Sequence, residues 1–355
     1  MNLIPFALLV IMIVREMRME HIKEKGDTTM GVLKCKVDVI IPVCHGDKKL
    51  FKVLEGLAGQ TVLPQKVVLL NVETGWEEDS CEELQKNIYK YFGKHKLFGH
   101  RLPLPLEIVP VKEKNYDEGA TRNIGVKHTD SPFLLFMKQD AIPADSQLLE
   151  ELLWSLENGA GVAWARHITG PSAGVLKTYI GMYDYPSKSY VRTEEDSKTY
   201  GVRAFRISNA CAMYRRDVFE EQHGFEDGII AGEGNLFGAR LLKSGGKIAY
   251  CAEAKVYYSE NSNWMAQLRR KFDEGVAHAC YPQFFRAGSE EKAGWHYGKA
   301  VLSYLVNQKY YMEIADFSGE NIYKAVGYFL GKHYRWLKKS WILRLTNNHA
   351  YWKQM

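Results

Sequence analysis

The chain has 355 residues, of which 46% are hydrophobic and 25% charged, so it contains enough apolar sequence for a substantial core. This composition excludes an intrinsically disordered chain, a collagen-like repeat and a disulfide-stapled mini-protein. The six cysteines lie far apart with no Cys-x-x-Cys pair, which argues against a zinc knuckle or a redox dithiol. Such spacing is typical of reduced, mostly buried thiols in a cytosolic protein.

The net charge of +5 is concentrated at the C-terminal end. Residues 331–355 contain six Lys or Arg and no Asp or Glu, so they carry +6 and the other 330 residues carry −1. Tyrosines and tryptophans alternate with these cations, a pattern that suits an anionic membrane surface. Two alternatives stay open: single-stranded nucleic acid, and a terminal helix whose aromatic side chains pack on the body of the protein.

The N-terminal segment, residues 1–34, stands apart from the patterns that follow. Its apolar run of 12 residues, Leu3–Val14, is shorter than the roughly 18–20 residues that a membrane-spanning helix needs. Mixed charges follow without a small-residue cleavage site, so a cleaved signal peptide is also disfavoured. We interpret this segment as an interfacial helix, a buried helix or an extension upstream of a start at Met30.

The first half of the main chain alternates strand and helix patterns. Continuous apolar runs indicate strands that are buried on both faces, as in a parallel sheet with right-handed crossovers. The predicted strands are Val37–Val43, Lys66–Val72, Leu106–Val111 and Phe133–Met137. Three helices are predicted between these strands. The first begins after Asp47, which can cap it, the second begins near Cys81, and the third spans residues 121–128. This alternation predicts an open α/β sheet, in which ligands bind beyond the carboxyl ends of the strands.

The second half is less regular. Residues 166–204 mix Gly, Pro, Ser, Thr and Tyr, and we predict a long loop that covers the substrate. Beyond it we expect a strand at 205–214, a helix at 233–244, strands at 247–251 and 255–258, and helices at 264–279, 296–313 and 321–339. These elements give three predicted regions: 1–34, a sheet domain at 35–262, and a helical region at 263–355 with the basic tail.

Residues that can take part in binding or catalysis lie at the ends of the predicted strands and in the loops nearby. Neither a G-x-G-x-x-G after the first strand nor a P-loop is present, which disfavours dinucleotide enzymes and P-loop NTPases. Asp140 follows the fourth strand and can hold a phosphate-bound divalent cation; Arg122 lies in a loop that runs into a helix and can attract diphosphates. Glu233, in a glycine-flanked turn, can accept a proton from a hydroxyl. Each residue also has a purely structural alternative. Asp140 could begin a turn, Arg122 could form a surface ion pair, and Glu233 could stabilise a helix dipole.

Several local motifs together resemble one family. They are the strand end Pro42-Val43, the loop Tyr116-Asp117-Glu118-Gly119-Ala120-Thr121-Arg122-Asn123, the segment Lys138-Gln139-Asp140-Ala141, the pair Ser208-Asn209, and Glu233 with Arg240 seven residues later. From residue 37 to about 350 the chain resembles the family-2 inverting glycosyltransferases with the GT-A fold, specifically their bacterial rhamnosyltransferase branch. The resemblance implies an open mixed α/β sheet flanked by helices, with a helical C-terminal extension.

The resemblance also implies roles for individual residues. Glu233 would be the catalytic base, and Asp140 with Glu260 would bind the metal. Ser208 and Asn209 would lie near the acceptor. The donor would be bound by Pro42, Val43, Asn71, Glu73, Asp117, Arg122 and Gln139. The chain departs from the family pattern at several places. Gly234 replaces the Asp that usually serves as base, Tyr116 replaces a Phe, Glu118 replaces a His, Lys138 replaces a Thr, and Tyr258-Ser259-Glu260 replaces a His-Ser-His.

The implied activity is an in-line displacement with inversion, assisted by Mg²⁺ or Mn²⁺. The implied donor is dTDP-β-L-rhamnose, and the implied acceptor is a lipid-linked cell-surface polysaccharide. We expect a cytoplasmic enzyme held at the inner face of the plasma membrane by residues 331–355, with no nucleic-acid partner. A transferase that uses another nucleotide hexose, and a pseudoenzyme that binds nucleotide sugar or glycan without transfer, are the alternatives.

Overall fold

A mixed β-sheet forms the centre of the protein in its computed structural model. The structure describes residues 37–73, 80–94, 102–112, 117–170, 173–258, 263–285 and 289–354, of which 289–296 and 354 are described by backbone alone. Within these ranges the sheet has nine strands in the order β3-β2-β1-β4-β8-β6-β9-β5, with β7 also paired to β9. The strands are β1 (Val37–Val43), β2 (Lys66–Glu73), β3 (Leu106–Lys112), β4 (Phe133–Met137), β5 (Ile142–Pro143), β6 (Val162–Ile168), β7 (Tyr190–Arg192), β8 (Cys211–Arg215) and β9 (Ile248–Tyr257).

The sheet brings the ends of seven strands to one edge. Strands β1 to β4 are mutually parallel where they pair, as predicted, so their carboxyl ends lie together. Strand β8 is antiparallel to β4, with Met137 opposite Cys211, and therefore begins at this edge. Strand β6 is antiparallel to β8 and parallel to β9, so both of these strands end there as well. We call this side of the sheet the carboxyl edge.

Helices cover both faces of the sheet and continue beyond it. They are α1 (Lys48–Ala58), α2 (Cys81–Lys94), α3 (Glu118–Val126), α4 (Leu148–Glu157), α5 (Val175–Asp184), α6 (Asp196–Tyr200), α7 (Arg216–Glu221), α8 (Glu233–Lys243), α9 (Trp264–Cys280), α10 (Ser289–Asn307), α11 (Tyr311–Lys332), α12 (Lys339–Leu345) and α13 (His349–Gln354). The predicted mixed α/β sheet flanked by helices, with a helical C-terminal region, is confirmed. All the described residues belong to one compact unit, Cys35–Met355.

Several local predictions are correct because short-range signals decide them. Asp47 caps α1 by accepting hydrogen bonds from the amides of Lys49 and Leu50, at 2.9 and 3.2 Å. Leu84, Ile88 and Phe92 are the buried face of α2. The predicted apolar runs of β1, β2 and β4 are almost wholly buried.

Predictions for the second half need correction. Residues 166–204 do not form one long loop, because they contain the end of β6, helices α5 and α6, and β7. The strand expected at 205–214 starts only at Cys211, after a 3₁₀ turn at Gly201–Phe205. The strands expected at 247–251 and 255–258 are one strand, β9, whose register with β6 shifts at Ala165/Arg166. The last long helices span 289–307 and 311–332 rather than 296–313 and 321–339.

Two large apolar clusters fill the opposite faces of the sheet, and smaller clusters lie under the C-terminal helices. Among the described cysteines, Cys211 and Cys251 are buried, Cys81 and Cys280 are half-buried, and Cys44 is exposed. The predictions for residues 1–34 lie outside the described residues. In the part of the chain that the structure describes, no helix has both the length and the apolar character needed to cross a membrane.

Candidate functional site

Two chain segments are clamped together where β1 and β4 end. The Gln139 side chain accepts a hydrogen bond from the Cys44 amide at 2.7 Å and donates one to the Cys44 carbonyl at 3.0 Å. Gln139 therefore holds the loop after β1 against the loop after β4. This contact positions the neighbouring Asp140 at the carboxyl edge.

Asp140 lies at the surface of that edge. Its carboxylate is 30% exposed and 3.7 Å from the Lys49 ammonium, which comes from the first turn of α1. Among the described residues no group of three or more His, Cys, Asp or Glu side chains gathers around a common point. One accessible carboxylate fits a Mg²⁺ that takes its other oxygen ligands from a diphosphate and water. Glu260, the second predicted metal ligand, lies outside the described residues.

The start of α3 brings the acidic side chain of Asp117 to the same edge. Asp117 caps the helix by accepting a hydrogen bond from the Ala120 amide at 2.7 Å. Burial raises the pKa of Asp117, and the negative charges of Glu233 and Asp227 raise it further against the capping hydrogen bond. Asp117 is therefore more readily protonated than an ordinary aspartate.

Glu233 is the centre of a buried polar network. Its Oε1 accepts hydrogen bonds from an Arg122 guanidinium nitrogen at 2.8 Å and from Asn209 Nδ2 at 3.0 Å. The Tyr214 hydroxyl donates to Asn209 Oδ1 at 2.6 Å and so fixes which end of the amide faces Glu233. The side chains of Arg122 and Glu233 are 2% and 8% exposed. Both donors approach one oxygen, and Oε2 has no hydrogen bond to a described residue.

The space at Gly234 belongs to this network. A Cβ atom at this position would lie 3.0 Å from Asn209 Nδ2 and 3.0 Å from the Ile207 carbonyl oxygen, closer than such atoms normally pack. The glycine that replaces the family's Asp therefore makes room for the Asn209 side chain to reach Glu233.

The loop before Glu233 is held from two helices. The Asn123 side chain in α3 donates to the Phe225 carbonyl at 2.8 Å and accepts from the Phe225 amide at 3.1 Å. Arg240 in α8 donates to Glu226 at 2.9 Å and also to the Gly224 carbonyl. Arg240, which sequence analysis identified only by its spacing from Glu233, thus anchors the loop that delivers the carboxylate.

Lys138 is a site residue that sequence reasoning treated only as part of a motif. Burial disfavours its charge, but Glu118 and Tyr258 raise the pKa of Lys138 above its ordinary value. Its ammonium donates to the Tyr258 hydroxyl at 3.3 Å. The signal in the sequence was a lysine next to a predicted metal ligand at a strand end. The carboxyl edge therefore carries a permanent cation beside Asp140.

His167, at the end of β6, was also missed. It stacks on Tyr185 with ring centroids 4.3 Å apart and packs edge-on against Tyr258 at 5.1 Å. Burial, with the charges of Arg206 and Lys138, lowers the pKa of His167 to about 3, so the imidazole is neutral at physiological pH. No sequence signal marked it, because a single His in a strand is most often a core residue.

Other predicted site residues occupy varied positions. Pro42 and Val43 are buried within β1, so their side chains face the core. Asn71 is 2% exposed, and its amide contacts the Cys81 sulfur at 3.8 Å. Glu73 is half-buried at the end of β2. Ser208 is half-buried beside Asn209, and its carbonyl accepts from the Cys211 amide at 3.2 Å.

Comparison with known proteins agrees with this architecture. Residues 38–222 match the family model of glycosyl transferase family 2. The structure is similar to that of a mannosyltransferase from Pyrobaculum calidifontis in complex with GDP-Man and Mn²⁺. The TM-score is 0.52 at 14% identity, over 96% of this chain and 93% of that one. At this identity the similarity establishes the fold alone.

Two curated proteins are similar at the level of sequence. The O-antigen chain rhamnosyltransferase RfbN of Salmonella typhimurium is 30% identical over 327 residues, which cover 90% of this chain and 97% of that protein. The O-antigen chain rhamnosyltransferase WbaN of Salmonella anatum is 33% identical over 256 residues, 70% of this chain and 79% of that protein. The resemblance inferred from the motifs is confirmed: this chain is a glycosyltransferase and belongs to glycosyl transferase family 2.

Proposed function

We propose that the protein transfers L-rhamnose from dTDP-β-L-rhamnose to a hydroxyl of a growing, lipid-linked cell-surface polysaccharide, with inversion at the anomeric carbon. The names of the two Salmonella relatives support the sugar and the polysaccharide. The observation that carries the mechanism is the arrangement around Glu233, whose Oε1 is held by Arg122 and Asn209.

Glu233 acts as the general base. The hydrogen bonds from Arg122 and Asn209 to Oε1 fix the rotation of the carboxylate, so that Oε2 faces the reacting hydroxyl. The acceptor oxygen forms a bond to the anomeric carbon as the bond from that carbon to the diphosphate oxygen breaks. The hydroxyl proton moves to Oε2, and the bonding electron pair leaves with the diphosphate.

Cations at the carboxyl edge stabilise the leaving diphosphate. Lys138 and Lys49 flank the position of Asp140, and positive charge placed where negative charge develops lowers the barrier. Asp140 would hold Mg²⁺ or Mn²⁺, which when bound supplies Lewis-acid stabilisation of the phosphate oxygens. Asn71, Glu73, Asp117 and Gln139, with the strand end at Pro42 and Val43, would surround the nucleotide, and Ser208 would face the acceptor.

The Glu233→Gln variant tests this assignment. Loss of the proton acceptor should lower the rate of rhamnosyl transfer about 10²- to 10⁴-fold, the usual contribution of a general base. Calorimetry should show that donor binding is retained, because the amide keeps the shape of the side chain. The matched control is Glu220→Gln, which changes an exposed carboxylate that pairs with Arg216 and should leave the rate unchanged.

Three results would contradict the proposal. A Glu233→Gln variant that transfers at the normal rate would remove Glu233 from the mechanism. Donor binding without turnover by the unaltered enzyme, over a panel of acceptors, would favour the alternative of a nucleotide-sugar-binding pseudoenzyme. A product with rhamnose in the β configuration would exclude inversion.

We also propose that the protein works at the cytoplasmic face of the plasma membrane, with the basic residues 331–355 in contact with anionic lipid. The excess of six positive charges in this segment supports the contact.

A further inference from the structure

The C-terminal aromatic residues divide into two sets. Trp352 is 5% exposed and packs in a cluster with Ile342, Ile230 and Phe272. Trp336 is 75% exposed and Trp341 is 56% exposed. Packing on the body of the protein therefore accounts for only part of the tail, and a second set of aromatic side chains faces outward.

Helix α11 extends this outward set into a continuous apolar surface. Ile322, Val326 and Phe329 are 61%, 44% and 55% exposed, and their spacing of four and three residues places them on one helix face. The row continues through His333 to Trp336, since ring centroids lie 4.5 Å apart between Phe329 and His333 and 4.3 Å apart between His333 and Trp336. We call these five residues the α11 stripe.

The orientation of α11 is determined by close packing on α9. Gly327 and Gly331 lie against the backbone of Leu268 and Phe272, where a Cβ atom on either glycine would overlap a carbonyl oxygen. The two helices thus meet backbone to backbone, and α11 cannot rotate to bury its stripe. Ile322, Val326, Phe329 and Trp336 stay exposed over about three helical turns and a following 3₁₀ turn. Such a row of apolar side chains is unusual on a soluble surface.

Positive charge surrounds one end of the stripe. A groove of about 640 Å³ opens there, lined by the end of α9 and by Lys332, Arg335 and Trp336. Residues 331–355 contain six Lys or Arg and no Asp or Glu, whereas Lys324 within α11 pairs with Glu320 at 2.6 Å. A second copy of the chain seated on this surface would bring like charges together, whereas an anionic bilayer would complement them.

We propose that the α11 stripe inserts into the interface of an anionic phospholipid membrane, and that the groove at Lys332 and Arg335 binds a lipid headgroup phosphate. This assignment refines the membrane contact proposed above from a basic tail to a defined apolar face and headgroup site. It does not depend on the identity of the sugar or on the role of Glu233.

The C-terminal region that carries the α11 stripe contacts the segment just before Glu233. Asn348, beyond the stripe, donates from its side chain to the Ile230 carbonyl at 3.3 Å, three residues before Glu233. Ile230 itself packs in the cluster with Phe272, Ile342 and Trp352. The docked membrane would therefore have a set orientation relative to the catalytic carboxylate.

Vesicle binding by the full-length protein tests the proposal. Phosphatidylcholine vesicles with 30 mol% phosphatidylglycerol, at roughly 0.1 M salt where surface charges still act over about 10 Å, should bind the protein, and pure phosphatidylcholine vesicles should not. Lys332→Gln with Arg335→Gln should weaken binding about 30-fold, as expected for two cations near an anionic surface. Phe329→Ser with Trp336→Ser should weaken it at least tenfold at any salt concentration.

The control is a matched pair on α2, Tyr89→Ser with Lys86→Gln, because Tyr89 is 55% exposed, the same as Phe329. This control should bind vesicles normally, and circular dichroism should show that all variants are folded. Equal vesicle binding by the stripe variants and the unaltered protein would overturn the proposal. So would a dimer in sedimentation velocity that the stripe variants dissociate while vesicle binding stays absent, which would assign the stripe to a second copy.

Discussion

At the scale of single residues, we propose that the exchange at position 234 lets the protein use Glu233 as its base in place of the family's usual Asp. Asn209 uses the space beside Gly234 to donate to Glu233, and Tyr214 sets the direction of that amide. The proposed base is thus one residue earlier than in the family pattern, and it is oriented by the neutral amide of Asn209 as well as by Arg122. In this proposal the missing Asp reflects a rearranged site rather than a lost one.

This interpretation makes a counterintuitive prediction for the Gly234→Asp variant. Restoring the family's Asp should lower the turnover number about 10- to 100-fold, because the new side chain displaces Asn209 and removes a hydrogen bond to a charged group. Gly234→Ala should lower it in the same direction, whereas Gly93→Ala, at a glycine with nothing within 4 Å of an added Cβ, should not. Steady-state kinetics of donor turnover would measure this. A Gly234→Asp variant faster than the unaltered enzyme would contradict it.

At the scale of elements, the contact between α9 and the turn before α13 depends on one buried carboxylate. Asp273 is 4% exposed and accepts hydrogen bonds from the Thr346 hydroxyl at 2.5 Å and the Asn347 amide at 2.9 Å. Burial raises the pKa of Asp273 to about 6, although these hydrogen bonds lower it. The folded protein therefore binds a proton at this site more tightly than the unfolded chain does.

The sign of the resulting pH dependence is opposite to that of an ion-paired aspartate. The stabilisation is fully present below pH 4 and is lost as the pH rises through about 6, where the buried carboxyl ionises. Through this group the free energy of unfolding should fall by about 2 kcal/mol between pH 4 and pH 7. Urea denaturation of the unaltered protein and of Asp273→Asn at several pH values isolates the effect. A difference between them that does not change with pH would contradict the prediction.

The two sets of C-terminal tryptophans should also differ in their contribution to stability. Trp352→Ala removes a buried side chain and should lower the free energy of unfolding by about 3 kcal/mol. Trp341→Ala removes a side chain that is 56% exposed and should change it by less than about 0.5 kcal/mol. Thermal or urea unfolding at pH 7 would measure both. Similar losses for the two variants would show that the division of the tail is wrong.

At the scale of the whole molecule, the helical region completes the core around the loop before Glu233. Ile229, Ile230 and Leu236 are buried against residues of the C-terminal part, among them Phe272 and Phe285. We therefore propose that the division between 35–262 and 263–355 separates roles, sugar transfer and membrane docking, while the two parts fold together.

Cooperative unfolding is the expected consequence. Differential scanning calorimetry of the full chain should give one transition for the described unit, with equal calorimetric and van't Hoff enthalpies, because the shared clusters couple both parts. Donor nucleotide should shift the whole transition upward. Two resolved transitions, of which only one responds to nucleotide, would contradict the coupling.

The sequence by itself determined the first four strands, their helices and the edge where the chemistry lies, because continuous apolar runs, caps and strand-end polar residues are local signals. It also predicted Glu233, Asp140, Arg122 and Asn209 as site residues, through the resemblance of its motifs to the family. Only the tertiary structure decided that Asn209 and Arg122 bind the same oxygen of Glu233, and that Gly234 gives Asn209 its place. Those contacts join residues separated by 24 and 111 positions in the chain. Likewise, the pattern of residues 311–341 did not show which aromatic side chains stay exposed, because the backbone contact of α11 with α9 sets that face.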